Sequence, residues 1–165
     1  MVLRPVLLAL AASLVSELAS AQVPPPGWRF AVNSDWHIDA DRVALESTRV
    51  RADFDGNGTT DHAAIMVRES DTLSEHAVFA FLMAPGGKQR THQLLKCAMS
   101  CGEVALTVTR SGCFTSESTN VTVCLDHPGF ALFEIEFGYG TLYWYAQGQW
   151  KHLAFAREEL SKLQR

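Results

Sequence analysis

Apolar and polar residues alternate with a period of two along most of the chain beyond residue 47, as expected for strands with one buried face. In the segment 47–54, Val50 and Ala52 fall on one face, and Arg49 and Arg51 fall on the other. Short apolar runs rich in β-branched and aromatic residues continue this pattern toward the end of the chain. The predicted strands are 47–54, 63–67, 77–83, 89–96, 104–109, 121–125, 130–137, 141–146 and 150–155.

Turns separate these strands at short intervals. Pro85-Gly86-Gly87 stands before the strand 89–96, and Gln147-Gly148-Gln149 predicts a hairpin between the last two strands. Many short strands with such turns predict a mainly β fold, either an antiparallel sandwich, an open barrel or a partial propeller-like sheet.

Two short helices are expected at the ends of the domain. Asn33 or Ser34 can cap a helix over 33–44, and a polar helical tail is expected over 157–165.

The first 21 residues have the features of a cleavable signal peptide. Arg4 supplies the positive charge, and the apolar run 6–15 is too short to span a membrane. Ala19-Ser20-Ala21 places small residues before the expected cleavage point at Gln22, and no cysteine lies near it. We therefore expect a periplasmic or secreted protein with no membrane attachment after cleavage, in which residues 22–165 form one β-rich domain.

The charge of the mature chain argues against nucleic acid as a partner. Removal of Arg4 and Glu17 with the leader leaves 13 basic and 17 acidic side chains. Nucleic-acid binding requires clustered Lys and Arg to displace counterions, and this mild acidity does not supply them.

The four cysteines, Cys97, Cys101, Cys113 and Cys124, predict two disulfides in an oxidising compartment. A zinc site of four thiolates is the alternative, but the spacing lacks the paired short intervals of such sites. Three connectivities are possible. We favour Cys97–Cys101 with Cys113–Cys124, because the second pair would join adjacent strands.

The segment 53–61, Asp-Phe-Asp-Gly-Asn-Gly-Thr-Thr-Asp, has the spacing of a Ca²⁺-binding loop. Oxygen-bearing residues at alternate positions allow one tight turn to direct several ligands at a hard cation. The candidate ligands are Asp53, Asp55, Asn57, the backbone carbonyl of Thr59, and Asp61, with Gly58 at the sharp turn. Ala64 stands where an EF-hand has its bidentate Glu, and a strand follows instead of a helix. An ordinary hairpin turn, which also collects Asp, Asn and Gly, is the alternative.

This loop resembles the calcium loop of FG-GAP and VCBS-type β-repeats, in which it links two strands of one blade. The order of features also resembles a group of small bacterial periplasmic proteins, from Pro26-Gly27-Trp28-Arg29 to the closing Leu142-Tyr143-Trp144-Tyr145 and Gln149-Trp150-Lys151. The resemblance implies a structural Ca²⁺ ion held by the five candidate ligands. It also implies a protein partner, because members of that group resemble inhibitors of cell-wall hydrolases and immunity proteins against lysozyme-like toxins.

The stretch Ser111-Gly112-Cys113-Phe114 is similar to the Ser-Gly-x-Tyr loop that some periplasmic lysozyme inhibitors insert into the enzyme cleft. The resemblance implies Ser111, Gly112 and Phe114 as partner-binding residues. A plain β-turn beside a disulfide is the alternative interpretation.

No constellation of residues in the sequence indicates catalysis. The six histidines are scattered, and the sequence has no nucleophile elbow or zinc-protease motif. Glu134 and Glu136 share one face of a strand, which is more typical of a solvated face than of a glycosidase pair. We therefore expect a binding module, with an inhibitor of a peptidoglycan hydrolase as the first hypothesis. A carbohydrate- or adhesion-type surface protein that uses Trp144 and Trp150 is the second, and a small hydrolase is the third.

Overall fold

The computed structural model of the protein describes residues 22–32, 35, 48–69, 74–97, 104–134 and 138–159. Over these ranges the chain is mainly β, and all of the strand pairs are antiparallel. The strands are β1 (Arg29–Phe30), β2 (Arg49–Ala52), β3 (Asp61–Glu69), β4 (Ser74–Met83), β5 (Gln89–Cys97), β6 (Val104–Thr109), β7 (Gly112–Ser116), β8 (Val121–Leu125), β9 (Gly129–Glu134), β10 (Tyr139–Ala146) and β11 (Gln149–Ala156).

The two expected helices are not confirmed. The helix predicted over 33–44 lies outside the described residues except for Asp35. The predicted signal peptide 1–21 and residues 160–165 of the predicted tail also lie outside them. The described start of the tail, Arg157–Glu159, is a single 3-10 turn. Among the described residues, no helix is long and apolar enough to cross a membrane.

Strands β1 to β5 form the first sheet. Its order is β1-β3-β4-β5, and β2 pairs with β3 along the same edge as β1. Strand β2 lies against the beginning of β3, where Ala52 pairs with Asp61, and β1 lies further along, where Phe30 pairs with Met66. The β2–β3 connection is the segment 53–60, so the candidate metal loop closes a hairpin of this sheet.

The second sheet has the order β11-β10-β9-β6, and β7 and β8 form a separate two-stranded hairpin. The closing hairpin β10–β11 is paired in full from Tyr139↔Ala156 to Ala146↔Gln149. The predicted turn 147–149 is therefore confirmed, with Gln147 and Gly148 both at positive φ.

The two sheets contribute to one shared core. Its buried side chains come from β2, β3 and β4 of the first sheet and from β6, β9 and β10 of the second; they include Val50, Ile65, Val78, Leu82, Leu106, Phe130, Leu132 and Tyr143. Phe54, from the candidate metal loop, belongs to this core and is fully buried.

Both sheets are also covered on their outer faces. The β7–β8 hairpin covers the second sheet, where Phe114 meets Phe155 edge to face at a centroid distance of 6.3 Å. On the first sheet, Trp28 packs on Phe79 at 5.2 Å. The aromatic side chains of β10 are therefore largely enclosed, except for Tyr139 at the start of the strand, which is exposed.

Candidate metal centre

The carboxylate of Asp53 organises the first half of the loop. Its Oδ1 accepts a hydrogen bond from the backbone N–H of Asn57 at 3.0 Å, and its Oδ2 accepts one from Gly58 at 2.8 Å. These contacts fold the chain back on itself over five residues. Gly58 has a φ of +82°, a conformation that residues with a Cβ rarely adopt, which explains the glycine at the sharp turn.

Asp61 organises the second half and is fully buried. Its Oδ1 accepts a hydrogen bond from the backbone N–H of Met83 at 2.7 Å, and its Oδ2 accepts bonds from Phe54 at 2.8 Å and Asp55 at 3.3 Å. Burial raises the pKa of Asp61 to about 6, against the lowering effect of these N–H donors, and the nearby charge of Asp55 raises it further. The ionised form of Asp61 therefore needs additional positive charge close by.

Three carboxylates converge within the loop. Asp53, Asp55 and Asp61 each place one oxygen within 4.8 Å of the others. Like charges at this separation repel one another, and a bound divalent cation would turn that repulsion into attraction. An all-oxygen donor set fits Ca²⁺ or Mg²⁺ better than a softer metal such as zinc. The spacing of the sequence thus brings together the three predicted carboxylate ligands.

The amide side chain of Asn57 is held at both ends. Its Nδ2 donates to the backbone carbonyl of Met83 at 2.9 Å, and its Oδ1 accepts a bond from the backbone N–H of Thr59 at 2.7 Å. The oxygen of Asn57 keeps a lone pair that can face a cation. The loop is thus joined to the end of β4 by both Asn57 and Asp61.

Two further residues contact the loop and are not among the predicted site residues. Arg90, on β5, donates from its guanidinium to Asp55 Oδ2 at 3.2 Å. His127, between β8 and β9, lies so close to Gly56 that a Cβ at that glycine would meet the imidazole ring at 2.2 Å. Both residues come from distant segments of the chain, and nothing in their local sequence marks them as neighbours of the loop.

Phe54 connects the loop to the second sheet. Its ring lies 5.5 Å from Phe130 and 5.8 Å from Trp150, centroid to centroid, and the second contact is edge to face. The indole Nε1 of Trp150 is buried without a hydrogen-bond partner. A change in the loop therefore alters the surroundings of an intrinsic fluorophore.

The disulfide Cys113–Cys124 is present, and the two cysteines face each other across the β7–β8 hairpin. This confirms one of the two predicted pairs. The other, Cys97–Cys101, lies outside the described residues because Cys101 does.

The segment 111–114 is not a free loop. Gly112, Cys113 and Phe114 belong to β7, whereas Ser111 lies in the bend before it. Ser111 and Gly112 are exposed, but Phe114 is only 5% exposed and packs into the core of the second sheet and its covering hairpin. The prediction that Phe114 meets a partner is therefore corrected, because its side chain points into the protein.

Two glutamates were considered as catalytic acids in the sequence. The side chain of Glu134 and the whole of Glu136 lie outside the described residues.

His62, which follows the loop, is half-buried. Burial lowers the pKa of its imidazole, and the positive charges of Arg51 and Arg49 lower it further.

No family model matches the chain, and comparisons with curated proteins and with solved structures give no significant match. The chemistry assigned to this centre therefore rests on its own residues.

Proposed function

We propose that the chain is an exported β-sandwich domain that holds a structural Ca²⁺ ion in the loop 53–61 and acts by binding a partner. The observation that carries the metal assignment is the convergence of the Asp53, Asp55 and Asp61 carboxylates within 4.8 Å, with Asp61 fully buried. Three carboxylates so placed favour a divalent cation over a plain turn, which needs no such convergence.

The ion would take one carboxylate oxygen from each aspartate. Asn57 Oδ1 and the backbone carbonyl of Thr59 are the remaining candidate ligands from the chain. The role is structural, because Asp61 and Asn57 tie the loop to Met83 at the end of β4. The cation would fix the β2–β3 hairpin against β4 and hold Phe54 in the core between the sheets.

Export is supported by the leader-like residues 1–21 and is compatible with the Cys113–Cys124 disulfide. The mature domain would then work in the periplasm or outside the cell.

The proposed partner is a protein, a peptidoglycan hydrolase, which the domain would inhibit or against which it would act as an immunity protein. This assignment rests on the resemblance to periplasmic inhibitors. The exposed Ser111 and Gly112 are the residues offered to the enzyme, beside the hairpin held by Cys113–Cys124.

A panel of lysozyme-type enzymes, assayed on cell-wall suspensions with and without the purified domain, tests the partner. We expect inhibition in calcium that weakens in EDTA. The absence of inhibition for every peptidoglycan hydrolase encoded near this gene would remove the proposal, whether or not the domain binds calcium.

A carbohydrate- or adhesion-type surface is the second candidate, and the exposure of Tyr139, at 69%, favours it. Trp150 is a poor test of this idea because its ring contacts Phe54 and Phe130. Retention of the domain on peptidoglycan or glycan resin, lost in Tyr139→Ala with an unchanged melting temperature, would favour this candidate over the inhibitor.

A further inference from the structure

Asn57 and Gly58 are adjacent at the centre of the metal loop. Asparagine is thermolabile, and a following glycine removes the Cβ that hinders attack of the next backbone nitrogen on the side-chain amide. The other described asparagine, Asn120, is exposed in a turn but is followed by the β-branched Val121. We propose that Asn57 is a self-modification site, at which the loop converts its own amide to a carboxylate and gains a fourth acidic group for the cation.

The reaction needs only water. The backbone nitrogen of Gly58 attacks Cγ of Asn57, the bond from Cγ to Nδ2 breaks, and ammonia leaves, so that a five-membered succinimide forms. Hydrolysis of the bond between Cγ and the Gly58 nitrogen gives aspartate and restores the normal backbone. Hydrolysis at the other carbonyl gives isoaspartate, which inserts one methylene into the main chain. No electrons are transferred in either step.

Hydrogen bonds in the folded loop oppose the first step. Asn57 Nδ2 is held by the carbonyl of Met83 and Oδ1 by the N–H of Thr59, and the attacking nitrogen of Gly58 is engaged with Asp53 Oδ2. The amide must leave these partners before its carbon can approach Gly58. A cation that holds the loop together therefore slows the reaction, and its removal speeds it.

Conversion of Asn57 to aspartate changes both the hydrogen bonding and the charge of the loop. In the unmodified loop, Asn57 Nδ2 donates to the Met83 carbonyl at 2.9 Å. After conversion, an acceptor oxygen takes the place of this donor. Two acceptors at that distance repel, so the new carboxylate turns away from Met83. The three converging carboxylates nearby repel it, and only a bound cation would attract it. The modified loop is thus weaker without the ion and more strongly stabilised by it; this step rests on the proposed cation site.

Peptide mapping by mass spectrometry tests the modification directly. Wild-type protein is incubated at mildly alkaline pH in calcium and in EDTA, and the conversion of Asn57 and Asn120 is followed over time. We expect Asn57 to react several-fold faster in EDTA than in calcium, and faster than Asn120 in EDTA. The variant Asn57→Gln, which would need a less favourable six-membered ring, should stay unmodified at this position. Conversion of Asn57 in EDTA no faster than that of Asn120 would overturn the proposal.

The genetically encoded Asn57→Asp variant tests the consequence. Its melting temperature should be lower than that of the wild type in EDTA, and its rise on addition of calcium should be larger. An equal rise in both proteins would overturn the claim that the fourth acidic group strengthens cation binding. If neither protein responds to calcium, the cation site itself fails, whereas the mapping result still reports on the chemistry of Asn57. If calcium stabilises the wild type but does not slow conversion, the inference fails and the cation site stands.

Discussion

Asp61 Oδ1 and the backbone N–H of Met83 are joined by a hydrogen bond of 2.7 Å. Asp61 is the first residue of β3 and Met83 is the last of β4, so this bond lies at the open end of the β3–β4 hairpin and holds the candidate metal loop against it. Asp61 is fully buried, and the strength of this link therefore depends on the ionisation of one carboxylate. The stability of the first sheet and the charge of the loop are coupled through this contact.

Addition of calcium should raise the melting temperature, and Asp55→Asn should abolish most of that rise. A ligand that binds only the native state stabilises it by about 2.7 kcal/mol at one hundred times its dissociation constant. Asp55 is one of the three converging carboxylates, so the loss of its charge weakens binding. Thermal unfolding in calcium and in EDTA measures both effects.

Glu158→Gln is the matched control, since it removes one exposed carboxylate from the C-terminal turn. Its response to calcium should equal that of the wild type. Equal melting temperatures of the wild type in calcium and in EDTA would mean that the loop is only a turn.

Ionisation of Asp61 should lower the stability of the metal-free protein as the pH rises from about 4 to about 6. Burial raises the pKa of Asp61 from 3.8 to about 6, so in this range the native state binds more protons than the unfolded state. The shift corresponds to about 3 kcal/mol that is present below pH 3.8 and lost above pH 6. Urea titrations in EDTA at several pH values measure it.

Asp61→Asn should flatten that pH dependence. It also replaces one of the two carboxylate oxygens that accept hydrogen bonds from the N–H groups of Met83 and Phe54. Calcium binding should show the opposite trend to metal-free stability, because protonation of Asp61 competes with the cation. Calcium affinity that stayed constant between pH 7 and pH 5 would contradict a role for Asp61 as a ligand.

Gly56→Ala should destabilise the protein more than Gly58→Ala. Both glycines have positive φ, of +72° and +82°, so an added Cβ costs about 1 kcal/mol in backbone strain at either position. At Gly56 the new methyl would also lie 2.2 Å from the ring of His127, whereas at Gly58 no neighbouring atom lies within 4 Å. The difference in the free energy of unfolding between the two variants isolates the His127 contact. Gly56→Ala with His127→Ala should recover part of that difference; no recovery would show that the contact is unimportant.

Much of this fold follows from periodicity, and the exceptions have local causes. The predicted strands 104–109 and 121–125 have the bounds that the structure shows, because each is a compact β-branched run. Strand β7 is not predicted because Ser116, one of its buried positions, is polar and hides the alternation. Strand β1 is two residues long, too short for any period to be visible.

Some residues of the candidate site could likewise be predicted from the sequence, and others could not. The positions of Asp53, Asp55 and Asp61 are predictable because the loop is local and its spacing is set by one turn. The positions of Arg90 and His127 are not, because Arg90 reaches the loop through the pairing of β5 with β4, and His127 comes from the connection between β8 and β9, outside the sheet that carries the loop. The register of β5 against β4 shifts at Val78/Phe79, and no sequence pattern specifies that irregularity.

Ser111→Ala should weaken inhibition of a hydrolase without changing the melting temperature, whereas Phe114→Ala should mainly destabilise the domain. Ser111 is exposed, and the small hydroxyl it offers is outside the core. Phe114 packs against Phe155, and its truncation should cost about 3–5 kcal/mol, as expected for a large buried ring. Thermal unfolding and inhibition assays on the two variants separate the roles. Full inhibition by Ser111→Ala would remove this residue from the proposed interface.

Arg90→Gln should make the domain more dependent on calcium. The guanidinium lies 3.2 Å from Asp55 Oδ2 and supplies part of the positive charge that the converging carboxylates need in the absence of an ion. Asp55 is 7% exposed and Arg90 is 52% exposed, so the pair is only partly screened by water. Loss of the guanidinium leaves the metal-free loop with uncompensated repulsion and frees an oxygen for the cation. We therefore expect a lower melting temperature in EDTA and a calcium affinity several-fold higher than that of the wild type.

Lys88→Gln provides the matched control for this last effect. It removes the same unit of charge from an exposed position in the turn between β4 and β5, close in sequence to Arg90. A general effect of net charge would change both variants alike, whereas a specific contact with Asp55 changes only Arg90→Gln. Calorimetric titration of both variants with calcium at two ionic strengths distinguishes these cases. Salt screens a long-range charge effect, whereas it screens a direct competition for one oxygen much less. Equal affinities for Arg90→Gln and Lys88→Gln would show that Arg90 does not compete with the ion.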